Sequence, residues 1–186
     1  MRFMVTDISR RRVLDLGVCA AATAMIPAAE AASGLPAGPQ PGDVLVAVGD
    51  SAHTPLTPGA VRRGAAPMLT WPMDRRTGLV RNAAKFNQVL LLRLAGDRDE
   101  AHGGELVAFS AVCTHAGCIV SAWRAADRVL LCPCHGSEYD PARAAAVVAG
   151  PAPQPLPSLP LAVVGGLVAV AGAFSAPPGG HTARTD

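Results

Sequence analysis

Four of the chain's five cysteines and two of its five histidines fall within residues 113–140, CTHAGCIVSAWRAADRVLLCPCHGSEYD. They form two half-motifs, Cys113-Thr114-His115-Ala116-Gly117-Cys118 and Cys132-Pro133-Cys134-His135-Gly136-Ser137. Thiolates and imidazoles together suit zinc or an iron–sulfur centre. Structural zinc sites usually keep like ligands together, a cysteine pair followed by a histidine pair. Here each half offers one Cys and one His, with a second Cys to spare. That division suits an asymmetric [2Fe–2S] centre, with two cysteines on one iron and two histidines on the other. A zinc ribbon, or thiols with a structural role alone, is the competing reading.

Over residues 113–157 the pattern C-T-H-x-G-C…C-P-C-H-G-S resembles the Rieske iron–sulfur family. The resemblance implies one [2Fe–2S] Rieske cluster, with Cys113 and Cys132 on the buried iron and His115 and His135 on the outer one. Cys118 and Cys134 match the extra cysteine pair that forms a disulfide in one branch of the family. Rieske ferredoxins and ring-hydroxylating oxygenases lack that pair, so the chain resembles the respiratory branch: cytochrome bc1, b6f and arsenite-oxidase small subunits. Ser137 and Tyr139 match hydroxyls that bond a bridging sulfur and a ligand cysteine, which raises the potential of the reduced centre. Rieske centres span about −150 to +300 mV, and the presence of both hydroxyls points to the upper part. Tyr139 is also the only tyrosine in the chain. Gly150-Pro151-Ala152-Pro153 resembles the proline loop that covers the cluster on a third side. The fold implied is all-β, stacked antiparallel sheets, with a cluster-binding subdomain inserted at about residues 108–155.

The elements that must position these residues are short and β-rich. Alternating or β-branched runs predict strands at residues 43–48, 68–71, 88–94 and 106–110. A hairpin is expected from residues 121–123 and 128–131, turning at Ala125-Ala126-Asp127, so that both ligand loops emerge at one end. Residues 161–164 and 167–170, separated by Gly165-Gly166, read as a closing hairpin. Residues 95–104 read as a polar loop, and His53 and His102 as surface residues. Arg75, Arg76 and Arg81 read either as a basic patch for an acidic partner or as solvated loop charge.

The 186 residues suit one domain, residues 43–175, behind a processing segment. Charged residues are 16% and the net charge is +2, so nothing argues for a nucleic-acid partner. Half the residues are apolar and only 4% aromatic, so a cluster and a disulfide weigh more in stability. Residues 1–34 read as a targeting segment. Ser9-Arg10-Arg11-Arg12-Val13-Leu14 resembles the twin-arginine export motif, an apolar run containing Cys19 follows, and Ala29-Glu30-Ala31 offers a cleavage site. The expected location is periplasmic. The rival reading is a retained membrane anchor, although residues 16–29 are short for a span. Residues 35–42, LPAGPQPG, read as a linker and residues 176–186 as a disordered tail.

The activity implied is one-electron transfer through the His115 and His135 edge, with no catalytic nucleophile or acid–base pair in the sequence. Ferric iron favours proton loss from bound imidazoles, which would couple electron and proton transfer. The expected partners are a redox subunit or c-type cytochrome, and quinol if the chain serves a ubiquinol–cytochrome c reductase. A small electron-relay subunit of a periplasmic oxidoreductase, arsenite-oxidase-like, is the other setting. Ala116, where bc1 proteins usually carry Leu, favours the latter.

Overall fold

The computed structural model describes residues 38–94 and 106–180, all within one unit, Leu35–Asp186. Residues 1–34, read as a targeting segment, with Cys19, His102 and the 95–104 loop, therefore lie outside the described residues. Among the described residues, ten strands form two antiparallel sheets. The first sheet holds β1 (Val44–Ala47), β2 (Met68–Met73), β3 (Val89–Arg93), β4 (Leu106–Ser110), β9 (Leu161–Val164) and β10 (Leu167–Val170), in the order β4-β3-β2-β1-β10-β9. The second holds β5 (Ala122–Arg124), β6 (Val129–Leu131), β7 (Glu138–Asp140) and β8 (Ala146–Ala149) in chain order. The second sheet is thus an insertion between β4 and β9, and it carries both half-motifs.

Strand β3 explains how the two sheets share a core. Its Val-Leu-Leu-Leu run is apolar on both faces, as a strand buried on both sides must be. Val89 and Leu91 pack with Leu45, Ala108, Leu159, Val168 and Val170. Leu90 and Leu92 point the other way and pack with Phe109 of β4 and with Leu130, Tyr139 and Leu156 of the inserted unit. The first sheet also curls back on itself. Ser110 N donates to Pro157 O and Leu159 N to Ala108 O, both at 2.8 Å, so its β4 edge meets the chain entering β9.

Local chemistry sets the turns. Gly165 and Gly166 take φ of +60° and +77°, the left-handed pair that a two-residue hairpin demands. The β5–β6 hairpin turns through residues 125–128 as expected, with Trp123 opposite Leu130. Strand β2 runs two residues further than the sequence suggests, through Pro72, whose carbonyl accepts from Arg81 N. Strand β8 was not foreseen. It follows Ala144 and Ala145, both at φ +52°, which turn the chain so that β8 lies beside β7.

Three expectations need revision. Arg81 belongs to no exposed patch: its guanidinium grips the buried Asp43 carboxylate at 2.7 and 3.1 Å, while Arg75 and Arg76 are exposed. The linker joins the domain early, since Gln40 N bonds Asp43 Oδ2 and Gly42 N bonds Val170 O. In the segment read as a tail, Pro178–Gly180 forms a 3-10 turn. There a Cβ on Gly180 would stand 2.9 Å from Thr114 O, so a side chain at that position would strike the first half-motif.

Candidate metal centre

The two half-motifs fold into the same turn. In the first, Cys113 N donates to Cys118 O at 2.8 Å and Gly117 N to Cys113 O at 3.0 Å. In the second, Cys132 N donates to Ser137 O at 2.8 Å and Gly136 N to Cys132 O at 3.0 Å. Gly117 and Gly136, at φ +73° and +69°, occupy the matching left-handed position, which disfavours any side chain. The first turn leaves β4 and leads towards β5; the second joins β6 to β7. The β5–β6 hairpin therefore sets them side by side.

Each turn buries its first cysteine and exposes its histidine. Cys113 and Cys132 are free thiols at 1% exposure, while His115 and His135 are exposed. The two imidazoles meet edge to face, with Nδ1 atoms 3.2 Å apart. Cys118 and Cys134 form a disulfide that ties the turns together, with Cα atoms 6.5 Å apart. The sulfurs of Cys118, Cys132 and Cys134 lie within 4.8 Å of one another, but the disulfide leaves only Cys132 among them able to bind metal.

A network of hydroxyls surrounds the buried thiols. Tyr139 OH lies 3.1 Å from Cys113 Sγ and accepts from Thr114 N at 3.3 Å. Thr114 Oγ1 donates to Gln154 O at 2.6 Å and lies 3.3 Å from the Tyr139 hydroxyl, so the phenol proton has the Cys113 sulfur and the Thr114 oxygen as its two acceptors. Burial opposes ionisation of Cys113, yet the Tyr139 hydroxyl and the His115 amide hold its thiol below the ordinary value. Burial, with the neighbouring Cys113 charge, pushes Cys132 up. Burial and the Cys113 thiolate also push the Tyr139 phenol well above its ordinary value, keeping it a donor. The predicted cover adjoins both turns. A Cβ on Gly150 would stand 2.6 Å from Gly136 O, Ala152 is buried, and Pro151 and Pro153 are exposed beside it. Gln154 then ties the cover to the first turn through Thr114.

Ser137 Oγ supplies a test of which group fits. It is fully buried, and by geometry it has no hydrogen-bond partner among the described residues. An unpaired buried hydroxyl costs about 1–3 kcal/mol unless something accepts from it. A bridging sulfide would be such an acceptor, and a single zinc ion brings no sulfide. The donor set and the orphan hydroxyl fit a [2Fe–2S] cluster.

Sequence reasoning missed Thr114, Gln154, Lys85 and Arg124. Arg124 on β5 grips Glu138 on β7 at 2.8 and 2.7 Å, across β6. Thr114 lay in plain view inside C-T-H, but its partner is 40 residues away.

Comparison with known proteins agrees with this geometry. Residues 76–160 match the Rieske [2Fe-2S] domain model. The chain is 33% identical over 148 residues to the cytochrome bc1 complex Rieske iron-sulfur subunit of Streptomyces lividans, covering 68% of this chain and 84% of that protein. It is 49% identical over 76 residues, 39% of this chain, to a Haloferax mediterranei protein named as a Rieske subunit of respiratory nitrate reductase. It is 36% identical over 104 residues, half of this chain, to the bc1 Rieske subunit of Corynebacterium diphtheriae. The matches span only 34% and 26% of those last two proteins. Among solved structures, the plasma membrane Rieske protein PetC3 of Synechocystis is 34% identical, with a TM-score of 0.37 over 45% of this chain and 75% of that one. The chain belongs to the Rieske iron–sulfur family, in its disulfide-bearing form. Its cofactor is a single [2Fe–2S] cluster.

Proposed function

We propose that Cys113, His115, Cys132 and His135 hold the cluster and that the chain is the iron–sulfur subunit of a bc1-type, ubiquinol–cytochrome c reductase-like complex. The observation that carries this reading is the division of the donors: buried free thiols below, exposed imidazoles above with Nδ1 atoms 3.2 Å apart. When bound, the cluster supplies a one-electron couple at that edge. Cys113 and Cys132 anchor it in the apolar core, and the 150–153 cover keeps water from their side. The exposed imidazoles give a c-type cytochrome or partner subunit its point of contact. With quinol as donor, an imidazole nitrogen would bond the quinol hydroxyl, and oxidation would be linked to proton release from the ring.

The alternative setting is an electron-relay subunit of a periplasmic oxidoreductase, arsenite-oxidase-like. Ala116 favours it: exposed beside His115, it offers a quinol-site subunit less apolar surface than leucine would. The location proposed is the periplasm, reached by twin-arginine export, with a retained N-terminal anchor as the variant. The SRRRVL motif supports this, as does the Cys118–Cys134 disulfide, since such bonds persist in oxidising compartments. Among the described residues no helix is long and apolar enough to cross a membrane.

Redox-titrated EPR of the purified protein at several pH values tests the assignment. A rhombic [2Fe–2S] signal whose high potential falls above neutral pH supports the histidine-ligated respiratory reading. A low potential, flat from neutral to mildly alkaline pH, would place the chain with ferredoxin-like relays. No signal would return the site to zinc. His115→Ala should abolish the rhombic signal.

A further inference from the structure

Lys85 is the only lysine in the chain; every other cationic side chain besides histidine is arginine. It opens the 3-10 turn Lys85–Asn87, which leads directly to β3 of the first sheet. From there its ammonium reaches across to the inserted unit and donates to Gly117 O at 2.8 Å. The Phe86 ring, its centroid 5.4 Å from Nζ, holds the cation from the side. Gly117 leaves room for this contact, since a Cβ there would stand 3.3 Å from Nζ. The two matching turns are therefore braced differently. The second rests on neutral backbone, Gly150 against Gly136; the first has neutral contacts too, at Gly180 and Gln154, and a formal charge in addition. A compact ammonium suits a single carbonyl better than the planar fork of a guanidinium.

We propose that Lys85 is a positioning residue of the metal centre: its ammonium, fixed on the Gly117 carbonyl, holds the first ligand turn and raises the reduction potential. This inference rests on the assignment of Cys113 and His115 as ligands. Reduction adds a negative charge to the centre, and net charge and nearby dipoles are among the factors that set its potential. A cation held beside the turn stabilises that added charge. Because Lys85 is exposed, the effect is screened by salt.

The test uses the full chain with its cluster assembled, by protein-film voltammetry at low and high ionic strength, with EPR in parallel. Lys85→Met should shift the potential negative at low salt, Lys85→Arg should shift it less, and the Met difference should shrink at high salt. Chemical modification reads the same effect without mutation. Acetylating the sole lysine of the assembled protein removes its charge and should reproduce the Met shift, whereas reductive methylation keeps the charge and should not. The same reagents applied to Lys85→Met control for the N-terminal amine. If Lys85→Met assembles no cluster, acetylation of the assembled protein decides. An unchanged low-salt potential after loss of the charge, with the EPR signal intact, overturns the role of Lys85 and leaves the ligand assignment standing. Absence of the signal from the unmodified protein overturns both.

Discussion

The Tyr139 hydroxyl lies 3.1 Å from Cys113 Sγ and accepts the Thr114 amide at 3.3 Å, so one phenol serves both a thiolate and the turn that carries it. Tyr139→Phe should keep the cluster and shift its potential negative. It should also destabilise the protein by about 1–3 kcal/mol, because the buried Thr114 amide loses its acceptor. Voltammetry and urea unfolding measure the two effects separately. An unchanged potential would sink the tuning role.

Ser137 makes the opposite combination. Its Oγ is buried with no hydrogen-bond partner by geometry among the described residues, so cluster-free Ser137→Ala should unfold within about 0.5 kcal/mol of the parent or become more stable. The loaded variant should nevertheless show a lower potential. A clear loss of stability without cluster would mean that the hydroxyl has a partner within the protein.

Two glycines separate steric need from backbone preference. Gly136 and Gly150 both have positive φ, +69° and +85°. A Cβ at Gly136 would meet nothing within 4 Å, so Gly136→Ala should cost about 1–2 kcal/mol of left-handed strain. A Cβ at Gly150 would stand 2.6 Å from both Gly136 O and Ser137 Cα. Gly150→Ala should therefore add about 1–3 kcal/mol of overpacking to the same strain. It should also speed loss of the cluster to chelator, as the cover lifts off the second turn. Equal unfolding midpoints for the two variants would contradict this.

Arg124 holds the Glu138 carboxyl below its usual range. A carboxylate with a depressed folded value contributes stability above the unfolded value and loses it as pH falls through the folded one. The Arg124–Glu138 contribution should thus be complete at neutral pH and fade below the ordinary glutamate value of 4.5. Glu138→Gln should lose less stability than the parent over that acid range. Parallel denaturant titrations at neutral and acid pH check it, and the titration of the chain's other carboxylates cancels in the difference.

The centre was legible because its chemistry is written in consecutive residues. C-T-H-A-G-C and C-P-C-H-G-S each close on bonds spanning five residues or fewer, so spacing alone nearly specifies the turn. Strands β3, β9 and β10 were equally plain, since their apolar runs end at turn formers. Strand β8 was not. Ala144-Ala145-Ala146 favours helix by propensity, and only packing places Ala144 and Ala145 in the left-handed region, with Ala145 fully buried. Lys85, Gln154 and the Asp43–Arg81 pair were hidden for another reason. Their partners are 32, 40 and 38 residues away, at distances that only the folded topology brings together.

The repetition of one turn has a consequence for assembly. The bonds that shape both turns run from protein to protein, within each turn and through the disulfide between them. The conformational freedom that binding would otherwise remove is therefore spent during folding. A cluster arriving at this site has little left to order, so its binding energy goes into affinity and retention instead of into shaping the loops.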